Sequence, residues 1–145
     1  MNKNLQKNTY SQLLKDITEL YDGARHALVE AYWQIGKRIV EQEQRGETSA
    51  IYGDHLLARL SEDLSETLGS GFSKRNLYNM RGFYLANEEI LQTSAELNWS
   101  QHVALLPVKN STVRRKLERQ IVSQKLSTRT INTPGIWRIY SIYRV

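Results

Sequence analysis

The stretch that decides the fold is residues 54–86, DHLLARLSEDLSETLGSGFSKRNLYNMRGFYLA. Its leucines at positions 57, 60, 64 and 68 are three or four residues apart, which places them on one side of a helix. The next residues include Gly69 and Gly71, which permit the positive φ of a sharp turn, and Ser73 is placed to cap a second helix that begins at Lys74. The stretch therefore predicts a helix-turn-helix-like unit.

The second helix of this unit has two unlike faces. At 100° per residue, Leu77, Met80 and Tyr84 share the apolar face. The opposite face presents Arg75, Tyr78, Asn79 and Gly82, with Lys74 and Arg81 on the flank. Such a face is typical of a helix that enters the DNA major groove, where arginine binds guanine, asparagine binds adenine and a small residue permits close approach. The competing interpretation is a solvated face on an ordinary packed helix.

Charge is divided unequally along the chain, whose net charge is +5. Residues 1–72 hold 8 Lys and Arg against 11 Asp and Glu, whereas residues 73–145 hold 12 against 4. The positive excess thus begins at the second helix of the unit. A field of one sign in one half indicates a polyanionic partner, although basic halves also occur in proteins that bind other proteins or anionic membranes.

Length and composition favour one cytoplasmic domain of 145 residues, long enough to bury a core. No segment approaches the roughly 20 apolar residues of a membrane span, and the N-terminus does not resemble a secretory signal. With no Cys and three scattered His, we expect no disulfide, no metal site and no cofactor. We predict a DNA-binding domain over residues 1–133 and an atypical apolar tail, either β-prone or disordered, over residues 134–145.

A long N-terminal helix is predicted over residues 11–44, since apolar residues recur at spacings of four and three from Leu13 to Ile39. Gly36 and Gly23 within it indicate close packing or a kink. The favoured interpretation is a core helix of an all-α bundle. A stripe of this length also raises the hypothesis of a homodimer formed through this helix.

Shorter helices follow, with serines at the positions where caps are expected. Ser100 is predicted to cap a helix that Pro107 ends, with Trp99 before it as an apolar staple. Ser111 is predicted to cap residues 112–124, and Ser127 a further turn. The chain is therefore predicted to be mainly all-α.

The helix over residues 112–124 is rich in cations, and we expect it to contact phosphates; the competing interpretation is a solvated helix face. The full set of predicted DNA-binding residues is Lys74, Arg75, Tyr78, Asn79, Arg81, Arg114, Arg115 and Arg119. Of these, Arg75, Tyr78 and Asn79 are expected to face bases or backbone, and the other cations to face phosphates. For Arg81 the competing interpretation is a structural ion pair with Glu62 or Asp63.

A set of motifs resembles the N-terminal half of the YhcG family of bacterial PD-(D/E)xK nuclease proteins. The most specific run is residues 69–84, GSGFSKRNLYNMRGFY. The other matching runs are residues 32–40 (YWQIGKRIV), 52–53 (YG), 60–64 (LSEDL), 97–102 (LNWSQH) and 126–129 (LSTR). The resemblance extends from about Leu13 to Ile131.

This resemblance implies a helix-turn-helix-like module that binds DNA and precedes a nuclease domain in full-length relatives; we expect the DNA to be duplex. The chain departs from the family pattern twice. No Asp…(Asp/Glu)-x-Lys arrangement follows residue 131, so we expect a truncated member without metal-dependent cleavage. Gln101 stands where relatives usually have His after the Trp-Ser pair, so a role of that His in relatives does not carry over to this chain.

Three classes of function remain to be separated. A DNA-binding module is the first. An enzyme is disfavoured, because His26, His55 and His102 are expected at the surface or its boundary and no phosphate loop, nucleophile elbow or zinc motif is visible. The alternative to DNA binding is a protein-protein interaction or dimerisation module of a nuclease or restriction-like complex.

Overall fold

The computed structural model describes residues 3–45, 50–89 and 96–131. Within these ranges the chain forms six helices and no strand, which confirms the all-α prediction. The helices are α1 (Lys3–Arg45), α2 (Ala50–Leu68), α3 (Lys74–Ala86), α4 (Trp99–Leu105), α5 (Ser111–Gln124) and α6 (Thr128–Ile131). The tail over residues 134–145 and the predicted boundary before it lie outside the described residues.

The core forms where α3 crosses the C-terminal part of α1. Leu77, Met80 and Phe83 are buried on the inner face of α3. Gly36 of α1 lies directly against the backbone of Met80, since a Cβ at this glycine would stand 2.0 Å from the Met80 carbonyl oxygen. The close packing predicted for Gly36 is therefore confirmed, because only a residue without a side chain lets the two helices approach this far. Gly23 has open space around it.

The turn between α2 and α3 forms as the sequence predicts. Gly69 and Gly71 have φ of 89° and 104°, and the Ser73 hydroxyl accepts a 3.1 Å hydrogen bond from the Asn76 amide. The leucine stripe of α2 is buried at its start, where Leu57 packs with Ile39, Leu77 and Met80, and opens to solvent by Leu68. The turn thus sets α3 between α1 and α2.

Two predicted caps are wrong by one or two residues. Asn98, not Ser100, caps α4: its side chain accepts from the Gln101 amide while the Gln101 side chain accepts from the Asn98 amide. Asn110, not Ser111, caps α5. Trp99 is consequently the first residue of α4 rather than a staple before it. The reciprocal bonds to Gln101 favour Asn98, because they satisfy two free amides at once.

A second apolar cluster holds α4, α5 and α6 together. Leu97, Leu105, Leu117, Ile121 and Ile131 form it. The Trp99 ring of α4 connects these helices to α1 and α3, since it packs against Tyr32 and Phe83 at centroid distances of 4.8 and 5.3 Å. The predicted surface position of His102 is wrong, since its side chain is 2% exposed and its ring lies 4.8 Å from that of Phe83.

Candidate nucleic-acid interface

A polar groove of about 610 Å³ lies at the N-terminal end of α3. We call it the α3 groove. Its walls come from three helices: α3 contributes Arg75 and Asn79, α4 contributes Ser100 and Val103, and α6 contributes Thr128. The groove therefore exists because α4 and α6 fold back beside the first two turns of α3.

Asn76 fixes the position of this groove. Its side-chain oxygen accepts a 3.0 Å hydrogen bond from the Trp99 indole, and its side-chain nitrogen donates at 2.6 Å to the Gly71 carbonyl. These two bonds tie the start of α4 to the turn before α3. The groove is thus held by a residue that belongs to the 69–84 run of the family resemblance, yet is not among the predicted DNA-binding residues.

Arg75 and Asn79 face this groove one helical turn apart. Arg75 is exposed and Asn79 half-buried. Among the described residues, neither side chain has a hydrogen bond or an ion pair. Their polar groups are therefore available to a ligand, and their i, i+4 spacing directs both to the same side of the helix.

Asp54 of α2 binds two side chains at the start of α3, Lys74 and Tyr78. Its Oδ1 lies 2.6 Å from Lys74 Nζ and accepts a 3.0 Å hydrogen bond from the Tyr78 hydroxyl. The bond from Lys74 lowers the pKa of Asp54, while Asp54 raises the pKa of Lys74. Burial, and then the bond to Asp54, raise the pKa of Tyr78. All three groups keep their usual protonation at neutral pH, so the charge of Lys74 is balanced by Asp54.

Arg81 forms a structural ion pair. Its guanidinium donates to both carboxylate oxygens of Glu43, from Nε at 2.6 Å and from Nη2 at 2.9 Å. The pair joins α3 to the end of α1, and the bonds to Glu43 raise the pKa of Arg81. Arg81 is thus placed as the competing interpretation expected, in a structural ion pair, although its partner is Glu43 and not Glu62 or Asp63.

Two of the predicted phosphate contacts on α5 are engaged in hydrogen bonds within the fold. Arg114 is 4% exposed and donates to the carbonyl oxygens of Val108 and Ala86 at 2.8 and 2.6 Å. Burial lowers the pKa of its guanidinium. The expectation that Arg114 contacts phosphate does not fit this placement, because its guanidinium is buried and donates to backbone carbonyl oxygens. One of them, that of Ala86, lies at the end of α3, where a helix leaves carbonyl oxygens without partners.

Arg115 completes this structure, which we call the α3–α5 clamp: Asn87, Arg114, Arg115 and Glu118. Arg115 donates to Glu118 Oε1 at 2.7 Å and to Asn87 Oδ1 at 2.6 Å. The Asn87 carbonyl in turn accepts from the Trp33 indole at 2.5 Å. Arg115 thus joins α5 to the end of α3, and Asn87 joins that end to α1. This engagement of Arg115 in the fold also departs from its predicted role as a phosphate contact.

Arg119 is the predicted phosphate contact of α5 that remains exposed. It has no ion pair or hydrogen bond within the part of the chain that the structure describes. Across the described ranges, no group of three or more His, Cys, Asp and Glu could hold a metal ion. None of the helices described here has the length and apolar character needed to cross a membrane.

Some of these features had no signal in the sequence. Glu43 and Arg81 are 38 residues apart, and Asn76 and Trp99 are 23 apart, so only the tertiary fold shows that they meet. Gln101 did carry a signal, since an Asn-x-x-Gln spacing before an apolar helix is a capping box. Gln101 also donates to the Leu126 carbonyl at 3.0 Å, which gives this departure from the family pattern a structural role.

Comparison with known proteins gives one family match and one curated relative. The family profile of the DUF1016 N-terminal domain matches residues 10–136. Among curated proteins, the putative nuclease YhcG of Escherichia coli (strain K12) is 48% identical over 99 residues, a match that covers 61% of this chain and 26% of that protein. The chain thus matches about a quarter of the length of this relative. No solved structure matches.

Proposed function

We propose that this chain, which belongs to the DUF1016 N-terminal domain family, is a DNA-binding module that contacts duplex DNA with the α3 groove. The observation that carries the proposal is the difference among the cations of α3. Lys74 and Arg81 are each paired with a carboxylate, whereas Arg75 is exposed and has no partner among the described residues. An arginine left unpaired beside an asparagine one turn away has the donors and acceptor that read base edges.

The charge distribution supports the same proposal. The positive excess of the chain begins at α3, where Arg75 lies, and Arg119 adds an exposed cation on α5. We assign Arg75 and Asn79 to base edges and Arg119 to phosphates, since phosphate contacts need charge but no base geometry. Lys74 and Tyr78 are secondary contacts that DNA reaches only when Asp54 releases them. Arg81, Arg114 and Arg115 support the surface through the fold.

The name of the relative is consistent with this role. A nuclease acts on nucleic acid, and the chain matches the part of the putative nuclease YhcG that covers 26% of its length. We assign binding to this module and cleavage to a part of the relative that the match does not cover. A nuclease assay with Mg²⁺ on the purified chain, against a mock preparation, tests this division. DNA cleavage that purifies with the chain would contradict it.

The test of DNA binding is a salt-titrated fluorescence anisotropy measurement on a labelled duplex. Replacing Arg75 and Asn79 by Ala is expected to weaken binding at least tenfold, because each good base contact contributes about 1–3 kcal/mol. The slope of log affinity against log salt is expected to fall by about 0.9 if Arg75 also neutralises a phosphate. The free energy of unfolding should stay nearly unchanged, since neither side chain has a partner among the described residues.

Arg59→Ala is the matched control, since Arg59 is an exposed cation on α2 without an ion pair in the described ranges. It removes the same charge from a different surface, and its affinity should stay within twofold of the parent chain. Equal affinity of the Arg75→Ala/Asn79→Ala variant and the parent would rule out the α3 groove as the reading surface. Equal losses in that variant and in Arg59→Ala would indicate non-specific charge attraction.

A second candidate function, a protein-protein interaction or dimerisation module, is favoured by a different observation. The N-terminal half of α1 exposes a row of large apolar side chains. A gel shift with sheared duplex DNA at low salt separates the two functions. A shift supports DNA binding by this chain, and its absence favours assembly with a partner that binds DNA.

A further inference from the structure

The N-terminal half of α1 carries an apolar stripe that nothing in the described structure covers. Its large members are Tyr10, Leu13, Leu14, Ile17, Leu20, Tyr21 and Leu28, all of them exposed; Leu20 is 75% and Tyr21 69% exposed. We call this set the α1 stripe. It continues along the same helix into Ile35 and Ile39, which pack in the core. The helix thus keeps one apolar side along its length, of which the globular part covers only the C-terminal portion.

The area of this stripe exceeds what a monomer ordinarily exposes. At about 200 Å² for an aromatic side chain, Tyr10 and Tyr21 alone expose about 270 Å². Five further leucine and isoleucine side chains, each about half exposed or more, raise the total above the 300–600 Å² or so of the largest apolar patch on a typical monomer. The area is comparable to the roughly 800 Å² that one partner buries in a standard interface.

The order of large and small residues in the stripe indicates what covers it. A seven-residue repeat places Tyr10, Ile17 and Ala24 at one set of inward positions and Leu13, Leu20 and Ala27 at the other. Large residues thus occupy the N-terminal layers, and small residues the C-terminal ones. A partner that fits must present small residues to the first layers and large residues to the last.

A second copy of the same segment, running in the opposite direction, meets this requirement. In that arrangement Tyr10 lies opposite Ala27, Leu13 opposite Ala24, and Ile17 opposite Leu20 of the second copy. Each layer then pairs large with small or medium with medium, which fills space evenly. A parallel pair would instead set Tyr10 against Tyr10 and Ala24 against Ala24, crowding one end and leaving a gap at the other.

Charge and shape at the edges of the stripe agree with the antiparallel arrangement. The flanking positions bring Asp16 opposite Gly23 of the second copy, so no like charges meet there. A groove of about 400 Å³, lined by Tyr21, Ala24, Leu28 and Trp99 among others, opens where the stripe meets α4. Tyr10 of the second copy, set opposite Ala27, lies at this level and provides an aromatic side chain to fill the groove.

We propose that the chain forms a homodimer in which the α1 stripes of two copies pair antiparallel, with Ile17 opposite Leu20. The two globular parts then lie at opposite ends of the paired helices, so each α3 groove remains open. The proposal does not depend on DNA binding, and its test contains no DNA.

Sedimentation equilibrium on the full chain is the first test. We expect a dimer at micromolar concentration, and Leu13→Glu with Leu20→Glu is expected to raise its dissociation constant at least 100-fold, because four charges would be buried in the seam. The matched control, Ser11→Glu with Thr18→Glu, adds the same charge to exposed positions outside the seam and should leave the dimer intact. A monomeric parent chain at about 100 μM, or equal dissociation in both variants, would overturn the proposal.

Cysteine cross-linking distinguishes the two directions, since the chain contains no Cys. Leu13→Cys and Ala24→Cys variants are mixed and oxidised. The antiparallel dimer gives a disulfide between the two variants, whereas a parallel dimer links each variant to itself. Self-linked products in excess of the mixed product would overturn the antiparallel arrangement. Far-UV circular dichroism of each variant verifies that α1 remains helical.

Discussion

The two ends of α3 use the same pair of residue types for opposite purposes. At the N-terminal end, Arg75 and Asn79 face the α3 groove without partners among the described residues. At the C-terminal end, Arg115 donates to Asn87 within the α3–α5 clamp, and the neighbouring Arg114 is buried. An arginine beside an asparagine is therefore available to a ligand at one end and engaged in the fold at the other.

The environment of each end accounts for this difference. Asn87 caps the C-terminus of α3, where helix carbonyls lack intrahelical partners and attract cations, and α5 lies close enough to supply them. At the N-terminus the free groups are amides, which Ser73 partly satisfies and which do not attract arginine. The helix polarity thus favours arginine as a structural partner at one end only, and Arg75 stays in solvent.

The largest expected effect is on the clamp. Arg114→Ala should lower the free energy of unfolding by about 2–5 kcal/mol, because it leaves the Ala86 and Val108 carbonyl oxygens without their donor and removes a buried side chain. Urea denaturation followed by circular dichroism measures this loss. Arg119→Ala, on the exposed side of the same helix, should change it by less than about 0.5 kcal/mol. Similar losses in the two variants would contradict the comparison.

The sequence predicts the local features of α3 and of the turn before it well, and the tertiary partners of the two ends poorly. The spacing of Leu77 and Met80, the turn glycines and the Ser73 cap each depend on residues within one or two turns, and each is confirmed. The many cations of its helix predict that Arg114 contacts phosphate. Its burial depends on Ala86, 28 residues earlier, and nothing in the local pattern indicates that contact.

The next effect concerns the ion pair beside the groove. Arg81→Ala leaves Glu43, which is largely buried, without its bidentate partner and should cost about 1–2 kcal/mol of stability. A double-mutant cycle with Glu43→Ala measures the coupling, which we expect to be at least 0.5 kcal/mol. Coupling near zero would show that Arg81 is not committed to the fold, and would return it to the candidate DNA contacts.

A smaller effect, with the opposite sign, is expected from Asp54→Asn. The substitution releases Lys74 and removes a negative charge beside α3. Affinity for duplex DNA should rise about threefold to tenfold, and the salt slope should steepen by about 0.9 if Lys74 then neutralises one phosphate. Glu66→Gln removes an equal charge from an exposed position on α2 and should change affinity by less than twofold. Equal gains in both variants would mean that only net charge matters.

The pH dependence of this effect follows from Asp54. The pKa of Asp54 in the folded chain lies below the ordinary value of 3.8, chiefly because of the bond from Lys74. The ion pair between Asp54 and Lys74 is therefore fully present above pH 3.8 and is lost as the pH falls through the lower pKa of the folded chain. The difference in affinity between Asp54→Asn and the parent should therefore be constant from about pH 5 to pH 8. A difference that changes within that range would assign the effect to another group.

For α1, the sequence predicts the helix but not which part of it is buried. Its apolar repeat predicts a helix, and the structure confirms that helix. The repeat alone does not show that the buried part of α1 begins near Val29. Gly36 and Gly23 look equivalent in the sequence, but only Gly36 meets another backbone. Where a helix is buried depends on how far the neighbouring helices reach, which is a property of the assembled fold.

The smallest expected effect tests how far the proposed DNA-facing side of α3 extends beyond Arg75. A Cβ at Gly82 would lie 4.0 Å from Leu106 Cδ1, an ordinary contact, so Gly82→Ala should raise stability by about 0.5–1 kcal/mol through helix propensity. If DNA approaches α3 closely at this turn, the added methyl group should lower affinity about twofold to fivefold. Gly23→Ala gives the same helical gain in open space, away from α3, and should leave affinity unchanged. Unchanged affinity in Gly82→Ala as well would confine the proposed DNA-facing surface to the turn that carries Arg75 and Asn79, because a methyl group three residues beyond Asn79 would then meet no DNA.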